Sequence, residues 1–197
     1  TDMHAEIDIS QVTLQTDRLI LRSWKESDLE DFYEYAKVDG VGQMAGWLPH
    51  KDREESAKIL QLFISEKKTF AIEYDGKVIG SLGIELYDEK KFPEFQELAG
   101  RELGFVLSRD YWGKGIMPEA VQRVLRYLFD ETGLDFLMCG HYTENRQSKR
   151  VQEKCGFRYY RLTETETSYG EKKECRVSVL YRAPGNAKNA GKDEKRL

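Results

Sequence analysis

The chain has 197 residues, 31 Lys plus Arg against 35 Asp plus Glu, and a formal net charge of −4. That length fits one substantial α/β domain or at most two small ones, and 40% hydrophobic with 12% aromatic residues exclude wholesale disorder. Cys139, Cys155 and Cys175 have no CxxC spacing, and His4, His50 and His141 are scattered, so neither a disulfide framework nor a compact zinc or other metal motif is expected; the acidic balance gives no basic footprint for nucleic acid.

The first ten residues are acidic and lack the basic and apolar regions of a signal peptide. No apolar run reaches the length of a membrane span. A soluble, cytoplasmic protein with no membrane partner is expected. The last fifteen residues, Ala183 to Leu197, carry a net +2 and leave −6 for the rest. With almost no large apolar groups, this tail is expected to be disordered.

In chain order, Val12 to Arg22 reads as a strand, with Leu19 and Leu21 on one face. Glu26 or Ser27 can cap a helix running to about Lys37. Gly40, Gly42, Gly46 and Pro49 make 39–51 a loop, and a second helix follows Asp52. Phe70, Ile72 and Tyr74 alternate as a strand, Asp75-Gly76 is a hairpin turn, and Val78 to Leu86 returns. Residues 87–99 are a charged connection. Glu102 to Ser108 is a strand, 111–115 a glycine-containing turn, and Ile116 to Glu131 a strongly amphipathic helix. Asp135 to Tyr142 is a strand, Asn145 to Lys154 a short helix ended by Gly156, and Phe157–Leu162 with Cys175–Tyr181 a closing hairpin. Three consecutive central strands argue against a doubly wound sheet and for a mixed, mostly antiparallel sheet of about seven strands, with about four helices on both faces.

Two segments carry chemistry. Trp112-Gly113-Lys114-Gly115-Ile116 joins a strand to a helix; its glycines let backbone amides approach a ligand, and the unpaired N–H groups of the following turn sit at the positive end of the helix dipole, which suits a phosphate. The segment lacks the spacing of a Walker loop and the third glycine of a dinucleotide fingerprint. About thirty residues later comes Asn145-Arg146-Gln147-Ser148, where an Asn suits a helix N-cap.

Together the two segments resemble the GNAT acetyltransferases over roughly residues 12–182. ELGFVLSRDYWGKGIMPEA is similar to that family's acetyl-CoA motif, and NRQSKRVQEKCGF to the motif that follows it. The opening LQTDRLILR, Trp-Gly-Lys-Gly with Glu-Ala, and Asn-x-x-Ser resemble the branch of the bacterial ribosomal-protein-alanine N-acetyltransferases. Two positions depart from the family pattern: Asp110 stands where the loop begins with Gln or Arg, with Arg109 one place earlier, and Gln152 stands where many members carry a thiolate-protonating Tyr.

The resemblance implies one GNAT-like acetyltransferase domain over 1–182, with 1–11 as a flexible lead-in, acting as a monomer or homodimer. It implies transfer of an acetyl group from acetyl-CoA to a primary amine, either a protein N-terminus or a small molecule. The alternative is a non-catalytic acyl-CoA sensor on the same fold. By the resemblance, Phe105, Val106 and Leu107 pair with the pantetheine arm, and an amide near Val106 polarises the thioester carbonyl. The amides of Trp112, Gly113, Lys114, Gly115 and Ile116 hold the pyrophosphate, and Asn145 binds the arm or a water. Ser148 is either the acid for the leaving thiolate or a cofactor contact. Glu102, His141 or no dedicated base removes the amine proton. Cys139 and Cys155 are expected to be packing residues. The acceptor is expected to meet the 39–51 loop, the first two helices, the 87–99 connection and the 163–173 turn; Trp47 either lines that pocket or covers the core, and the acidic residues of 87–99 and 163–174 either attract a cationic amine or peptide or form solvated loops.

Overall fold

A computed structural model describes residues 6–184. Its single sheet contains β1 (Leu14–Gln15), β2 (Leu19–Ser23), β3 (Thr69–Tyr74), β4 (Lys77–Glu85), β5 (Gly100–Leu107), β6 (Phe136–Tyr142), β7 (Arg158–Glu166) and β8 (Lys172–Tyr181). The helices are α1 (Leu29–Ala36), α2 (Arg53–Glu66), α3 (Ile116–Glu131) and α4 (Arg146–Lys154). The strand order is β1-β2-β3-β4-β5-β6-β8-β7, antiparallel throughout except for the parallel pair β5–β6.

Eight strands replace the expected seven because the first expected strand is broken. The polar triplet Thr16-Asp17-Arg18 turns the chain: Thr16 N–H donates to the Leu19 carbonyl at 3.0 Å, and Leu19 N–H to Thr16 Oγ1 at 2.9 Å. Asp28, not Ser27 or Glu26, organises the entry to α1. Its carboxylate accepts from Lys25 N–H at 2.8 Å and from both Arg22 η-nitrogens at 2.9 Å, behind a short 3-10 turn at Glu26–Asp28. Asp52 caps α2 by accepting from Glu55 N–H, and Asp75 and Gly76 take the positive φ values of a tight hairpin turn. The closing hairpin is longer than expected. Alternating Thr and charged residues pair across it, Thr163 with Cys175 and Thr165 with Lys173, and only 167–171 remain between the strands.

Residues 6–11 do not hang free as a lead-in. Ile9 is buried in the main core, and its N–H donates to the Lys67 carbonyl at 2.8 Å. Residues 1–5, and the tail beyond Pro184, lie outside the described residues.

Three apolar clusters show how the faces are covered. On one face, α3 lays Met117, Ala120, Val121, Val124 and Leu128 against Leu21, Leu82, Leu103 and Leu137. On the other, Phe32 of α1 and Leu60 of α2, with Trp24 just after β2, cover Ala71, Val78 and Val106. Farther along that second face, Tyr87, Phe92 and Phe95 of the 87–99 connection cover Phe136, Met138, Val177 and Val179. Period two along β5 therefore points Leu103, Phe105 and Leu107 towards α3, and Glu102, Gly104 and Val106 the other way.

Candidate active site

The parallel β5–β6 ladder ends at Leu103↔Cys139, although β5 runs on to Leu107 and β6 to Tyr142. Ser108 N–H donates to the Ile79 carbonyl on β4. Alternation then turns the N–H of Val106 towards β4 and that of Phe105 towards β6. The cleft-facing amide near Val106 is thus that of Phe105, and the amide of Val106 itself belongs to the sheet. A ladder continued by one step would put Phe105 N–H on the Gly140 carbonyl. That pair does not form, and the Gly140 carbonyl accepts instead from Gln152 Nε2 of α4 at 3.1 Å.

The divergence opens a cleft of about 490 Å³. Glu102, Phe105, Val106, Leu107, Trp112, Gly113, Gly115, Ile116, Asn145 and Ser148 all line it. Lys114 does not: its ammonium lies 5.5 Å over the Tyr111 ring, and its carbonyl accepts from Arg18 Nη1 at 2.9 Å. Gly113 and Gly115 take φ values of 74° and 73°, a left-handed bend that aims the loop into the N-terminus of α3. Arg109 does not line the cleft; it donates to the Asp39 carbonyl at 2.6 Å and lies over the Trp112 ring.

Asn145 caps α4, its Oδ1 accepting from Ser148 N–H at 3.1 Å, which leaves its NH2 as a donor. Gln152 Nε2 donates to Ser148 Oγ at 3.2 Å, and Gln152 Oε1 lies 3.3 Å from His141 Nδ1. Gln152 is buried and absent from the cleft wall. Burial pushes His141 below its ordinary pKa, which favours a neutral ring, and its Nε2 is buried without a partner.

Glu102 faces the opposite side. Burial, and then repulsion from Glu85 opposite it on β4, push its carboxyl up to about 7. Cys175 also lines the cleft, with its thiol pushed up to about 11 by burial, so it is protonated near neutral pH. Cys139 is buried, and Cys155 packs against the main core, its Sγ 3.7 Å from the Pro118 carbonyl.

From the expected acceptor segments, Val41, Met44 and Ala45 of the 39–51 loop and Thr165 of β7 reach the cleft. No residue of 87–99 lines it; Phe92 and Phe95 serve the core, and Glu94 accepts from Tyr160 Oη at 2.8 Å. Trp47 packs on the second cluster, 5.1 Å from the His50 ring, and does not line this cleft. Several acidic groups of these segments are paired, Glu164 with Lys172 and Glu174 with the Thr143 hydroxyl. Among the described residues there is no cluster of acidic, His and Cys side chains suited to a metal, and no helix is long and apolar enough to cross a membrane.

The splayed parallel pair and the glycine turn at the start of α3 form a cleft suited to an extended, phosphate-bearing cofactor, and the comparisons give the class, an acyl-CoA-dependent acetyltransferase. The family profile "Acetyltransferase (GNAT) domain" matches residues 18–158, and the chain belongs to that family of acetyltransferases. It is 30% identical over 151 residues to YoaA of Bacillus subtilis (strain 168), described as an uncharacterized N-acetyltransferase; the match covers 73% of this chain and 81% of YoaA. A GNAT-family acetyltransferase structure from Bacillus anthracis superposes with TM-score 0.75 at 22% identity, covering 87% of this chain and 99% of that one. The ribosomal-protein-S5-alanine acetyltransferase of Vibrio fischeri superposes with TM-score 0.68 at 19% identity, covering 88% and 98%.

Proposed function

We propose that this acetyltransferase moves an acetyl group from acetyl-CoA directly to a primary amine, with both held in one ternary complex. The observation that carries this is the cleft itself: it passes between β5 and β6, so one side of the sheet presents Phe105, the glycine turn and α4, and the other presents Glu102. Donor and acceptor can then meet from opposite faces, and holding both in attack geometry supplies a large share of the acceleration, about 7–11 kcal/mol in favourable cases.

In this reading Phe105 and Leu107 extend the sheet to the pantetheine arm, and the turn at Trp112–Ile116 takes the pyrophosphate. The Phe105 N–H polarises the thioester carbonyl and stabilises the oxyanion. The Asn145 amide holds the arm. Ser148 donates its hydroxyl to the departing sulfur. Glu102, half ionised near neutrality, accepts the amine proton directly or through water. The acceptor is a peptide N-terminus or a small amine. The family resemblance of the LQTDRLILR and Asn-x-x-Ser segments favours a peptide N-terminus with a small first residue such as alanine, the residue in the name of the Vibrio fischeri protein.

Calorimetry with acetyl-CoA, followed by thiol release with short peptides bearing free N-terminal Ala or Ser and with simple alkyl amines, tests the reading. Binding and amine-dependent thiol release are expected. Absence of acetyl-CoA binding at millimolar concentration overturns it.

A further inference from the structure

We infer that Gln152 is a positioning residue that turns the Ser148 hydroxyl into a donor aimed at the cofactor sulfur. The inference rests on the acetyl-CoA reading of the cleft and concerns a residue that touches neither substrate.

The orientation of the Gln152 amide follows from its neighbours. The Gly140 carbonyl can only accept, so the atom 3.1 Å from it is the amide nitrogen. The second hydrogen on that nitrogen points to Ser148 Oγ at 3.2 Å. Ser148 Oγ therefore accepts from Gln152, and its own hydrogen must go elsewhere. Among the described residues Ser148 Oγ donates to no protein group, and Ser148 lines the cleft. Gln152 Oε1 can only accept, which puts the hydrogen of the neutral His141 ring on Nδ1, 3.3 Å away. The hydrogen bonds then run one way: His141 to Gln152, Gln152 to Ser148, Ser148 into the cleft. Such a chain polarises each successive donor.

The same amide also fills the gap left where β5 and β6 part, because the Gly140 carbonyl it takes is the one a continued ladder would give to Phe105 N–H. One side chain thereby frees a backbone donor for the carbonyl end of the thioester and points a hydroxyl donor at its sulfur end. When the C–S bond breaks with its electron pair on sulfur, the Ser148 hydrogen bond stabilises the thiolate. Solvent then supplies the proton that makes the thiol, matching the proton lost by the amine.

The test uses coenzyme A as probe and the full chain, so no acceptor need be known. The thiolate absorbance of bound coenzyme A is titrated against pH, and affinity is measured by calorimetry. The bound thiol is expected to ionise about tenfold more readily than free coenzyme A, a difference of about 1.4 kcal/mol. Gln152→Met is expected to abolish that difference with affinity changed less than about threefold, and Ser148→Ala to abolish it equally. The double variant should lose nothing more, as expected for groups acting through one another. Gln152→Glu provides a second variant should Gln152→Met fail to fold: a carboxylate only accepts, so it turns the Ser148 hydroxyl back and removes the shift as well. A wild-type thiol unshifted on binding, or a shift that survives in both Gln152 variants, overturns the inference alone. A wild type that binds no coenzyme A overturns the proposed function and this inference with it.

Discussion

Arg18 and Glu119 join two segments that lie 101 residues apart in the chain: Arg18 Nε donates to Glu119 Oε1 at 2.9 Å. The same guanidinium donates through Nη1 to the Lys114 carbonyl at 2.9 Å, and Thr16 Oγ1 bonds the other oxygen of Glu119. Burial alone would raise the Glu119 carboxyl, but the Thr16 hydroxyl and Arg18 hold it below its ordinary range. The turn between β1 and β2 is thus a brace for the glycine loop and the first turn of α3. A carboxylate there favours the helix dipole but would repel a bound phosphate, and Arg18 offsets its charge.

Arg18→Ala should therefore weaken coenzyme A binding by about five- to tenfold, while unfolding free energy falls by no more than about 1 kcal/mol, because the pair is partly exposed. Calorimetry beside denaturant unfolding separates the two effects. Unchanged affinity would show that the brace has no part in cofactor binding.

Glu102 gives a prediction with a definite sign. Its folded carboxyl ionises near 7 against 4.5 for an ordinary Glu. Between those values the folded chain binds more protons at this site than the unfolded chain, so stability from this group is full below about 4.5 and is lost as pH rises through about 7. The loss is on the order of 3 kcal/mol. Glu102→Gln removes the titration, so the variant should be the more stable protein at pH 8 and no more stable at pH 4. If Glu102 is the base, the amine kcat/KM of the wild type should also rise through pH 7, and that inflection should vanish in Glu102→Gln. Equal thermal stability of the two proteins at every pH would contradict the burial argument.

Gly104 and Gly113 distinguish the two mouths of the cleft. A Cβ on either meets nothing within 4 Å. Gly113 has φ 74°, so Gly113→Val strains the turn by about 1–3 kcal/mol and blocks the loop; loss of coenzyme A binding is expected. Gly104 has ordinary strand geometry and faces the Glu102 side. Gly104→Val should leave thermal stability and coenzyme A affinity near wild type and raise the amine KM by tenfold or more. A variant that instead loses coenzyme A would place the cofactor on the Glu102 side of the sheet.

The strand, glycine turn and helix at 100–131 were legible because each part is set by local rules: period two, positive φ at glycine, and an amphipathic stripe. Asn145 was legible as a cap for the same reason. The brace at Arg18 was not, because it depends on the break of the first strand at Thr16–Arg18 and on β2 passing the start of α3. Gln152 read as the absence of a tyrosine; its role emerges only once the end of the β5–β6 ladder leaves the Gly140 carbonyl to be satisfied. The acidic 87–99 segment reads either as an acceptor surface or as a solvated loop, because a sequence gives charges without their partners. Its aromatic residues in fact cover the second face of the sheet, and Glu94 is taken up by Tyr160 and Arg161.

Arg22 and Asp28 form an ion pair that the cleft does not use. The two η-nitrogens of Arg22 meet the two Asp28 oxygens at 2.9 Å, Arg22 also lies 3.1 Å from Glu73, and the side chains of Arg22 and Asp28 are largely buried. Such a pair contributes little net stability over apolar residues of the same shape, yet removing Asp28 leaves the Arg22 guanidinium with Glu73 alone of its two carboxylate partners. Asp28→Ala also frees the Lys25 N–H at the entry to α1. The expected cost is about 3 kcal/mol, the lower end for a broken buried pair because Glu73 remains, roughly 10 °C in Tm for a chain of this size, with coenzyme A affinity of the folded fraction unchanged. The double variant Arg22→Met, Asp28→Leu should recover most of that loss. If the double variant is no more stable than Asp28→Ala, the cost lies in the helix entry rather than in the half-paired guanidinium. Denaturant unfolding of the three proteins decides between the two.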